Sequence, residues 1–359
     1  MKRYLFTAII MLLYSIAFAD DEQILATTSS AAVSHSGSKI VFVSNSFSTD
    51  DLWVANRDGT NPTIITPWSQ SIEDSPDWSP DDTKIVFSST KDSSDANIWI
   101  INSNGTGPIQ LTINSKDNKQ PRFSPDGSKI LFVSNRTGKN ELWIMNSDGS
   151  NQRSIALIPL KISDPAWSPD GNFIVYVGTT KTSSNLFIIN VNGTSSKQLT
   201  TGNFEDWNPD WGVQGIIFAS NRGGFQGIWI IQSDGTNLHS ITSSEEYGDL
   251  YPRWDYSSGS VFFTRSGSSA DNYVSNIFTV DSSNNTKPVT NIKGFILDGD
   301  INADGKIDCA DISIVKSSFG KKRGQIGYDS RADVNNDGIV DIRDLSLILK
   351  KLPTGLTCK

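Results

Sequence analysis

The chain has 359 residues, of which 36% are hydrophobic, and its formal net charge at pH 7 is −8. This charge argues against nucleic acid as a partner, because phosphate binding requires a basic surface. With only two histidines, His35 and His239, neither a histidine-based triad nor a histidine-rich zinc site is expected.

Residues 1–19 have the pattern of a secretory signal peptide. Lys2 and Arg3 precede the apolar run YLFTAIIMLLYSIAFA, which ends in an A-x-A cleavage signal at 17–19. The alternative is a membrane span, but the apolar core is short and two aspartates follow it. The sequence therefore predicts an exported protein, periplasmic or extracellular, that has no membrane span after signal cleavage.

Residues 20–292 consist of a repeat. Its first block recurs along the chain, as PDWSPDDTKIVFSS at 76–89, PRFSPDGSKILFVSNR at 121–136, PAWSPDGNFIVYVG at 165–178 and divergent copies at 32–45, 206–222 and 252–265. A second block follows each copy, and its aromatic residue recurs every 42 to 49 residues: Trp53, Trp99, Trp143, Phe187, Trp229 and Phe278. Units of this length with about four short strands are typical of propeller blades. The sequence predicts an all-β, six-bladed β-propeller.

The residues within one unit support this fold. KIVFSS and NIWIIN are β-branched and aromatic runs suited to buried strands, and SPDG is suited to a tight turn. The repeated aromatic residues are expected to pack between blades rather than to bind a ligand. Two segments compete for the closing strand of the last blade, EQILATT at 22–28 and KPVTNI at 287–292.

The pattern P-x-W-S-P-D-G-x-x-I-V-F, followed by I-W-I-x-N-x-D-G-x-x-x-x-x-L-T, resembles the TolB-like (WD-repeat-like) β-propeller repeat. The resemblance extends over residues 30 to 290 and implies the propeller fold. It leaves the function open, because such propellers occur in binding proteins, peptidase gates and lyases. No G-x-S-x-G motif of an α/β-hydrolase follows the repeats.

Acidic residues recur just before the inner strand of several blades: Asp74, Asp117, Asp164, Glu205 and Asp249. By position they could surround one mouth of the central channel and receive a cation or a basic peptide. The alternative is that they cap turns on a solvated face. The pairs Asn135-Arg136 and Asn221-Arg222 are expected to be structural.

Residues 293–359 contain two acidic loops in the same register, DINADGKIDCAD and DVNNDGIVDIRD. Their spacing is that of EF-hand calcium loops, in which carboxylate and amide oxygens converge on a hard cation. The loops offer more oxygen ligands than magnesium accepts, so two Ca²⁺ ions are predicted. The expected ligands are Asp300, Asn302, Asp304, the Lys306 carbonyl, Asp308 and Asp311 in the first loop, and Asp333, Asn335, Asp337, the Ile339 carbonyl, Asp341 and Asp344 in the second.

A helix is expected after each loop, but none before it. The predicted buried faces are Ile312, Val315 and Phe319 in the first helix and Leu345, Ile348 and Leu352 in the second. A duplicated unit of loop and exiting helix resembles a type I dockerin, and the match covers residues 298 to 353. The resemblance implies two antiparallel helices, a calcium ion in each loop and docking to a cohesin.

Two features of this module are specific to the chain. In the antiparallel arrangement that the resemblance implies, Cys309 lies beside the end of the second helix, so a disulfide with Cys358 is expected; the alternative is two separate thiols. Loop positions 10 and 11, which help to choose the cohesin in cellulosomal dockerins, are Cys309-Ala310 and Ile342-Arg343 here. The expected partner is therefore described only as cohesin-like.

Together these patterns favour an exported, non-catalytic binding or scaffold protein. Its propeller would be the recognition platform, for a peptide, a protein or a glycan, and its dockerin-like module would attach it to the partner. The alternative is a polysaccharide-active enzyme, a glycoside hydrolase or lyase, or its accessory subunit, in which two of the acidic residues would face one cleft. A structural envelope protein is a third possibility.

Overall fold

The fold is given by a computed structural model, which describes residues 28–44, 50–68, 71–113, 116–156, 160–242, 247–269, 272–290, 309–322, 325, 327, 332 and 339–349. The predicted signal peptide and residues 22–27 lie outside these ranges. No helix within them is both long enough and apolar enough to cross a bilayer.

Residues 28–290 form six four-stranded antiparallel sheets, each built from consecutive strands. The first three sheets are blade 1 with β1 (Thr28–Val33), β2 (Lys39–Ser44), β3 (Asp51–Asn56) and β4 (Thr63–Ile64), blade 2 with β5 (Glu73–Trp78), β6 (Lys84–Ser89), β7 (Asn97–Asn102) and β8 (Ile109–Gln110), and blade 3 with β9 (Asn118–Phe123), β10 (Lys129–Ser134), β11 (Glu141–Asn146) and β12 (Arg153–Ala156). The others are blade 4 with β13 (Lys161–Trp167), β14 (Phe173–Thr179), β15 (Ser184–Asn190) and β16 (Lys197–Gln198), blade 5 with β17 (Asp206–Gly212), β18 (Gly215–Ser220), β19 (Gly227–Ile231) and β20 (His239–Ser240), and blade 6 with β21 (Gly248–Trp254), β22 (Val261–Ser269), β23 (Asn272–Val280) and β24 (Thr286–Pro288). The six-bladed propeller predicted from the repeat is confirmed.

The repeated aromatic residues lie on the two middle strands of every blade. In each blade an aromatic residue of the second strand lies directly opposite one of the third: Phe42 and Trp53, Phe87 and Trp99, Phe132 and Trp143, Tyr176 and Phe187, Phe218 and Trp229, and Phe263 and Phe278. These rings belong to the hydrophobic clusters that run along the blades or pack against them. The prediction that they form the core is confirmed.

The threonine that ends most repeats also has a structural role. Its hydroxyl oxygen accepts a hydrogen bond of 2.8 to 2.9 Å from a backbone N–H of the third strand in five blades: Thr66 from Leu52, Thr112 from Ile98, Thr200 from Leu186, Thr242 from Ile228 and Thr290 from Ile277. This contact satisfies a buried donor where the short fourth strand ends.

The ring closes where blade 6 meets blade 1. β24, which contains the first two residues of KPVTNI, pairs with β23 and fills the fourth position of the last sheet. Ser275 Oγ donates to the carbonyl oxygen of Thr28 at 2.7 Å, and Thr28 Oγ1 donates to the carbonyl oxygen of Ser275 at 3.2 Å. Arg57 of blade 1 also forms an ion pair with the buried Asp255 of blade 6.

Two helices follow in the C-terminal module, α1 (Cys309–Ser318) and α2 (Ile342–Leu349), and they pack against each other. Ile312, Val315 and Ile348 are buried in their shared core, as predicted. Phe319 differs from the prediction, because α1 ends at Ser318 and leaves the ring 47% exposed. Leu352 lies outside the described residues.

Candidate ligand site in the propeller channel

The first strand of every blade contains a β-bulge, where its register with the second strand shifts. One residue of each bulge has a positive φ, between 50 and 57°, and we call these six residues the collar: Ser30, Ser75, Gln120, Asp164, Asn208 and Tyr251. In five blades a proline comes next, and a bulge tolerates it because the extra residue is left out of the ladder.

The six collar residues line one cavity with a volume of about 370 Å³. Because every blade contributes one of them, the cavity lies on the axis of the propeller. Its volume is within the range of about 300–1,000 Å³ that small-molecule sites have. The other lining residues are Asp74, Arg122, Trp207, Gln226, Leu250, Pro252 and Arg253.

Three collar residues form a hydrogen-bonded trio around Asp164. Gln120 Nε2 donates to Asp164 Oδ1 at 2.6 Å, and Asn208 Nδ2 donates to the same oxygen at 3.1 Å. The backbone N–H of Asp164 donates in return to Gln120 Oε1 at 2.8 Å. Blades 3, 4 and 5 therefore present a hydrogen-bonded polar wall to the cavity. The collar residues of blades 1 and 2, Ser30 and Ser75, have short side chains that fill less of it.

Two residues after the collar lies a layer of four charged side chains, Asp77, Arg122, Asp210 and Arg253, which we call the charged layer. The blades follow one another around the ring, so the two aspartates come from opposite blades and so do the two arginines. Asp77 Oδ1 lies 3.7 Å from Arg122 Nη1 and 4.0 Å from Arg253 Nη1, and Asp210 Oδ1 lies 3.7 Å from Arg253 Nη1.

Burial governs the ionisation of the channel acids. It raises the pKa of Asp210 to about 6, against the opposing effect of Arg122, and it raises the pKa of Asp77 in the same way. Burial also raises the pKa of Asp164, although Ser163, Arg122 and Asn208 stabilise the ionised carboxylate. The channel therefore holds carboxylates that are poorly solvated and only partly neutralised.

The five acidic residues that were predicted to surround the channel mouth lie in different environments. Asp74 and Asp164 line the cavity. Asp249 is buried and accepts hydrogen bonds from Arg265 at 2.7 and 2.9 Å. Asp117 accepts from the backbone N–H of Ala96 at 3.1 Å, as a loop cap does. Glu205 precedes β17 and donates its own N–H to Asn221 Oδ1 at 2.9 Å.

These five acids occupy four different positions relative to the bulge, so they do not form one ring. The sequence grouping used residue type, whereas the collar is defined by register. The signal that identifies the collar is the residue before the proline of P-x-W, together with its counterparts in the divergent copies. Gln120, Asn208, Tyr251 and the two arginines of the charged layer were not predicted as site residues.

Arg136 and Arg222, predicted to be structural, lie over the aromatic pairs of their blades. The Arg136 guanidinium is 4.3 Å from the centre of the Trp143 ring, and that of Arg222 is 5.2 Å from the Phe218 ring. Arg222 also binds both carboxylate oxygens of Asp206 at 2.6 and 2.7 Å. This interpretation is confirmed for both residues.

The structure describes only the end of the second calcium loop. Ile339 precedes α2, the backbone N–H of Asp341 donates to Asp344 Oδ2 at 2.8 Å, and Asp344 is fully buried. Two carboxylates at the start of a helix fit the oxygen ligands that calcium takes. Within the described ranges no three acidic, histidine or cysteine side chains converge on a metal position.

The remaining predicted ligands are outside what the structure describes. They are Asp300, Asn302, Asp304, Lys306, Asp308, Asp333, Asn335 and Asp337, and the side chain of Asp311. Cys309 opens α1, but Cys358 also lies outside, so the disulfide stays a prediction.

The family models agree with the two-part organisation. Residues 20–161 and 151–292 match the TolB beta propeller domain, and residues 298–353 match the dockerin type I domain. Type I dockerins generally bind calcium and dock to protein partners such as cohesins, and both domain types are typical of extracellular or periplasmic proteins.

The similar proteins share either a short stretch of sequence or the fold with this chain. The uncharacterized peptidase YuxL of Bacillus subtilis is 35% identical over 68 residues, which are 18% of this chain and 10% of that protein. TolB from Acinetobacter baumannii has a TM-score of 0.55 at 19% identity, over 64% of this chain and 57% of its own. Oligogalacturonate lyase from Vibrio parahaemolyticus has a TM-score of 0.52 at 9% identity, over 78% and 82%.

This chain spans about a tenth of YuxL, and the two structural likenesses concern the fold alone. The family-model match, in contrast, extends through most of the chain. The chain belongs to the TolB beta propeller domain family and carries a type I dockerin domain after its propeller.

Proposed function

We propose that this chain is an exported binding protein that is attached to a cohesin-like partner through its dockerin domain and binds a ligand in the channel of its propeller. The observation that carries the proposal is the dockerin match at 298–353 in the same chain as a propeller with a polar axial cavity. The predicted signal peptide supports export.

Calcium would organise the docking surface. Each of the two loops would hold one ion through the ligands predicted above, and the metal would neutralise carboxylates that otherwise repel one another. The folding of the module is then coupled to calcium. A disulfide between Cys309 and Cys358 would restrict the unfolded module further.

The docking half of the proposal is tested with the mature chain and an immobilised type I cohesin. Retention is expected with calcium and release with EDTA, and calorimetry should give two ions per chain. Asp304→Ala and Asp337→Ala should each weaken retention, whereas Asp148→Ala, in an exposed propeller turn, should not. Retention that survives EDTA, or no retention with calcium, would contradict it.

A second candidate function is cleavage of a glycan in the same cavity. The pKa of Asp164 is raised by burial and, to a smaller extent, by the charge of Asp74. Glycosidases likewise use two acidic residues with different pKa values, one protonated as the general acid and one ionised. Release of reducing ends from a polysaccharide by the mature chain, lost in Asp164→Asn, would establish this activity. Binding without release leaves the protein as a binding module.

A further inference from the structure

The channel cavity contains hydrogen-bond donors that the protein itself does not satisfy. Arg122 Nη1 is buried and has no hydrogen-bond partner in the part of the chain that the structure describes. The Arg253 side chain is 9% exposed, and the carboxylate oxygens beside it are 3.7 and 4.0 Å away, beyond hydrogen-bond distance. A buried donor without an acceptor is costly, so Arg122, with Arg253 beside the same cavity, favours a ligand that brings acceptor oxygens.

The cavity wall offers the opposite chemistry. Asp74 is exposed at the cavity and accepts from Ser30 Oγ at 3.3 Å, which leaves its carboxylate with acceptor capacity. The side-chain amide of Gln226 adds a donor and an acceptor nearby. A matching ligand must therefore both accept and donate hydrogen bonds over a short distance, and hydroxyl groups do both.

An apolar surface adjoins these polar groups. Trp207 of blade 5 and Leu250 and Tyr251 of blade 6 line the same cavity, and Tyr251 is 37% exposed. Aromatic side chains combine a large apolar face with a polar edge. A ring that has C–H groups on its faces and hydroxyls around its edge is complementary to this arrangement, and that is the shape of a pyranose sugar.

The charge of the site selects among sugars. Four carboxyl groups, those of Asp74 and Asp164 in the cavity wall and of Asp77 and Asp210 in the charged layer, outnumber the two guanidinium groups of Arg122 and Arg253. A ligand carboxylate would add further negative charge beside these acids, which like-charge repulsion disfavours. An uncharged sugar avoids this cost and still satisfies the arginines.

We propose that the collar and the charged layer bind a neutral sugar residue of an oligosaccharide. Its hydroxyl oxygens would accept from Arg122 and Arg253, its hydroxyl groups would donate to Asp74 and Asp164, and one face of its ring would pack on Tyr251. This inference rests on the proposed binding function and names the ligand class of the same site.

The test is calorimetry of the mature protein, in calcium, with six probes: cellohexaose, xylohexaose, mannohexaose, trigalacturonate, trilysine and triglutamate. At least one neutral hexasaccharide is expected to bind, and more tightly than the acidic sugar and both peptides. Binding by none of the neutral probes, or tighter binding of trigalacturonate or of either peptide, overturns the proposal.

Two variants then locate the site. Tyr251→Asn and Asp164→Asn should each weaken sugar binding by about tenfold or more. Asparagine tolerates the positive φ of both positions, so the backbone is retained. The matched control is Phe173→Asn, since Phe173 is 38% exposed, packs on Trp211 and does not line the cavity. Unchanged affinity in both collar variants would also overturn the assignment.

Retention of the same protein preparations on the immobilised cohesin is also measured, because it separates the sugar-site proposal from the docking proposal. A protein that docks with calcium but ignores every neutral probe would contradict the sugar site alone. A protein that binds a sugar but does not dock would contradict the proposed attachment alone.

Discussion

Arginine and carboxylate side chains meet in two regions of the propeller, and their geometry differs. In the interior of blades 5 and 6, Arg222 binds Asp206 at 2.6 and 2.7 Å, and Arg265 binds Asp249 at 2.7 and 2.9 Å. Both guanidinium groups also lie over aromatic rings. In the channel, the arginines of the charged layer stay 3.7 to 4.0 Å from the nearest aspartates.

The register of the repeat separates these regions. The interior acids come two residues before the collar residue of their blade, and the charged layer comes two residues after it. The interior arginines are satisfied by the protein and cover the core, which makes them structural. The channel arginines keep unused donors, so the same residue types there are available to a ligand.

The strongest test of this comparison breaks an interior pair. Asp249→Asn removes the charge that neutralises Arg265, whose side chain is 8% exposed. Leaving one buried charge unpaired is expected to lower the free energy of unfolding by about 3–5 kcal/mol. Urea unfolding followed by tryptophan fluorescence measures it, because all ten tryptophans lie in the propeller repeats.

A double variant provides the control for this loss. Asp249→Leu with Arg265→Met replaces the pair by apolar side chains of similar size and should recover most of the stability, because no charge remains buried. A loss of less than about 1 kcal/mol in Asp249→Asn would show that the interior pair is not structural in this sense.

Glu73 extends the comparison to blade 2. It occupies the position of Asp206 and Asp249, two residues before the collar residue, but no arginine among the described residues pairs with it. Lys91 Nζ lies 4.9 Å from the centre of the Trp99 ring of the same blade, and Glu73 Oε1 accepts from Ser89 Oγ at 2.7 Å. Burial is the main cause that raises the pKa of Glu73 from 4.5 to about 7. The folded protein therefore favours the protonated acid.

The raised pKa of Glu73 makes the stability of the folded protein depend on pH. A folded-state pKa above the unfolded value means that the folded state binds the extra proton, so its stabilising effect is complete below pH 4.5 and is lost as the pH rises through about 7. Relative to Glu73→Gln, which does not titrate, the wild type should lose about 3 kcal/mol over this interval. Urea midpoints measured at several pH values check it; parallel curves for the two proteins would contradict it.

The sequence predicts the repeated structure better than the site. Six blades, their strands and their stacked aromatic residues follow from period and residue type, because buried strands demand the same chemistry in every copy. The collar does not follow, since a residue before proline is normally extended, whereas Gln120, Asp164 and their counterparts have positive φ. The bulge changes which side chains face the axis, so an acid chosen by type, such as Asp249, can lie in the interior.

The smallest change in the free energy of unfolding is expected for an aspartate-to-asparagine substitution in the channel. Asp74→Asn preserves the shape of an exposed side chain whose hydrogen bonds come from Ser30 Oγ and from the backbone of Ser75. Because no arginine is left unpaired, the urea midpoint should correspond to a change within about 0.5 kcal/mol of wild type. A loss as large as that of Asp249→Asn would mean that the channel acids hold the ring together. In that case the wider spacing in the charged layer would not mark a ligand site.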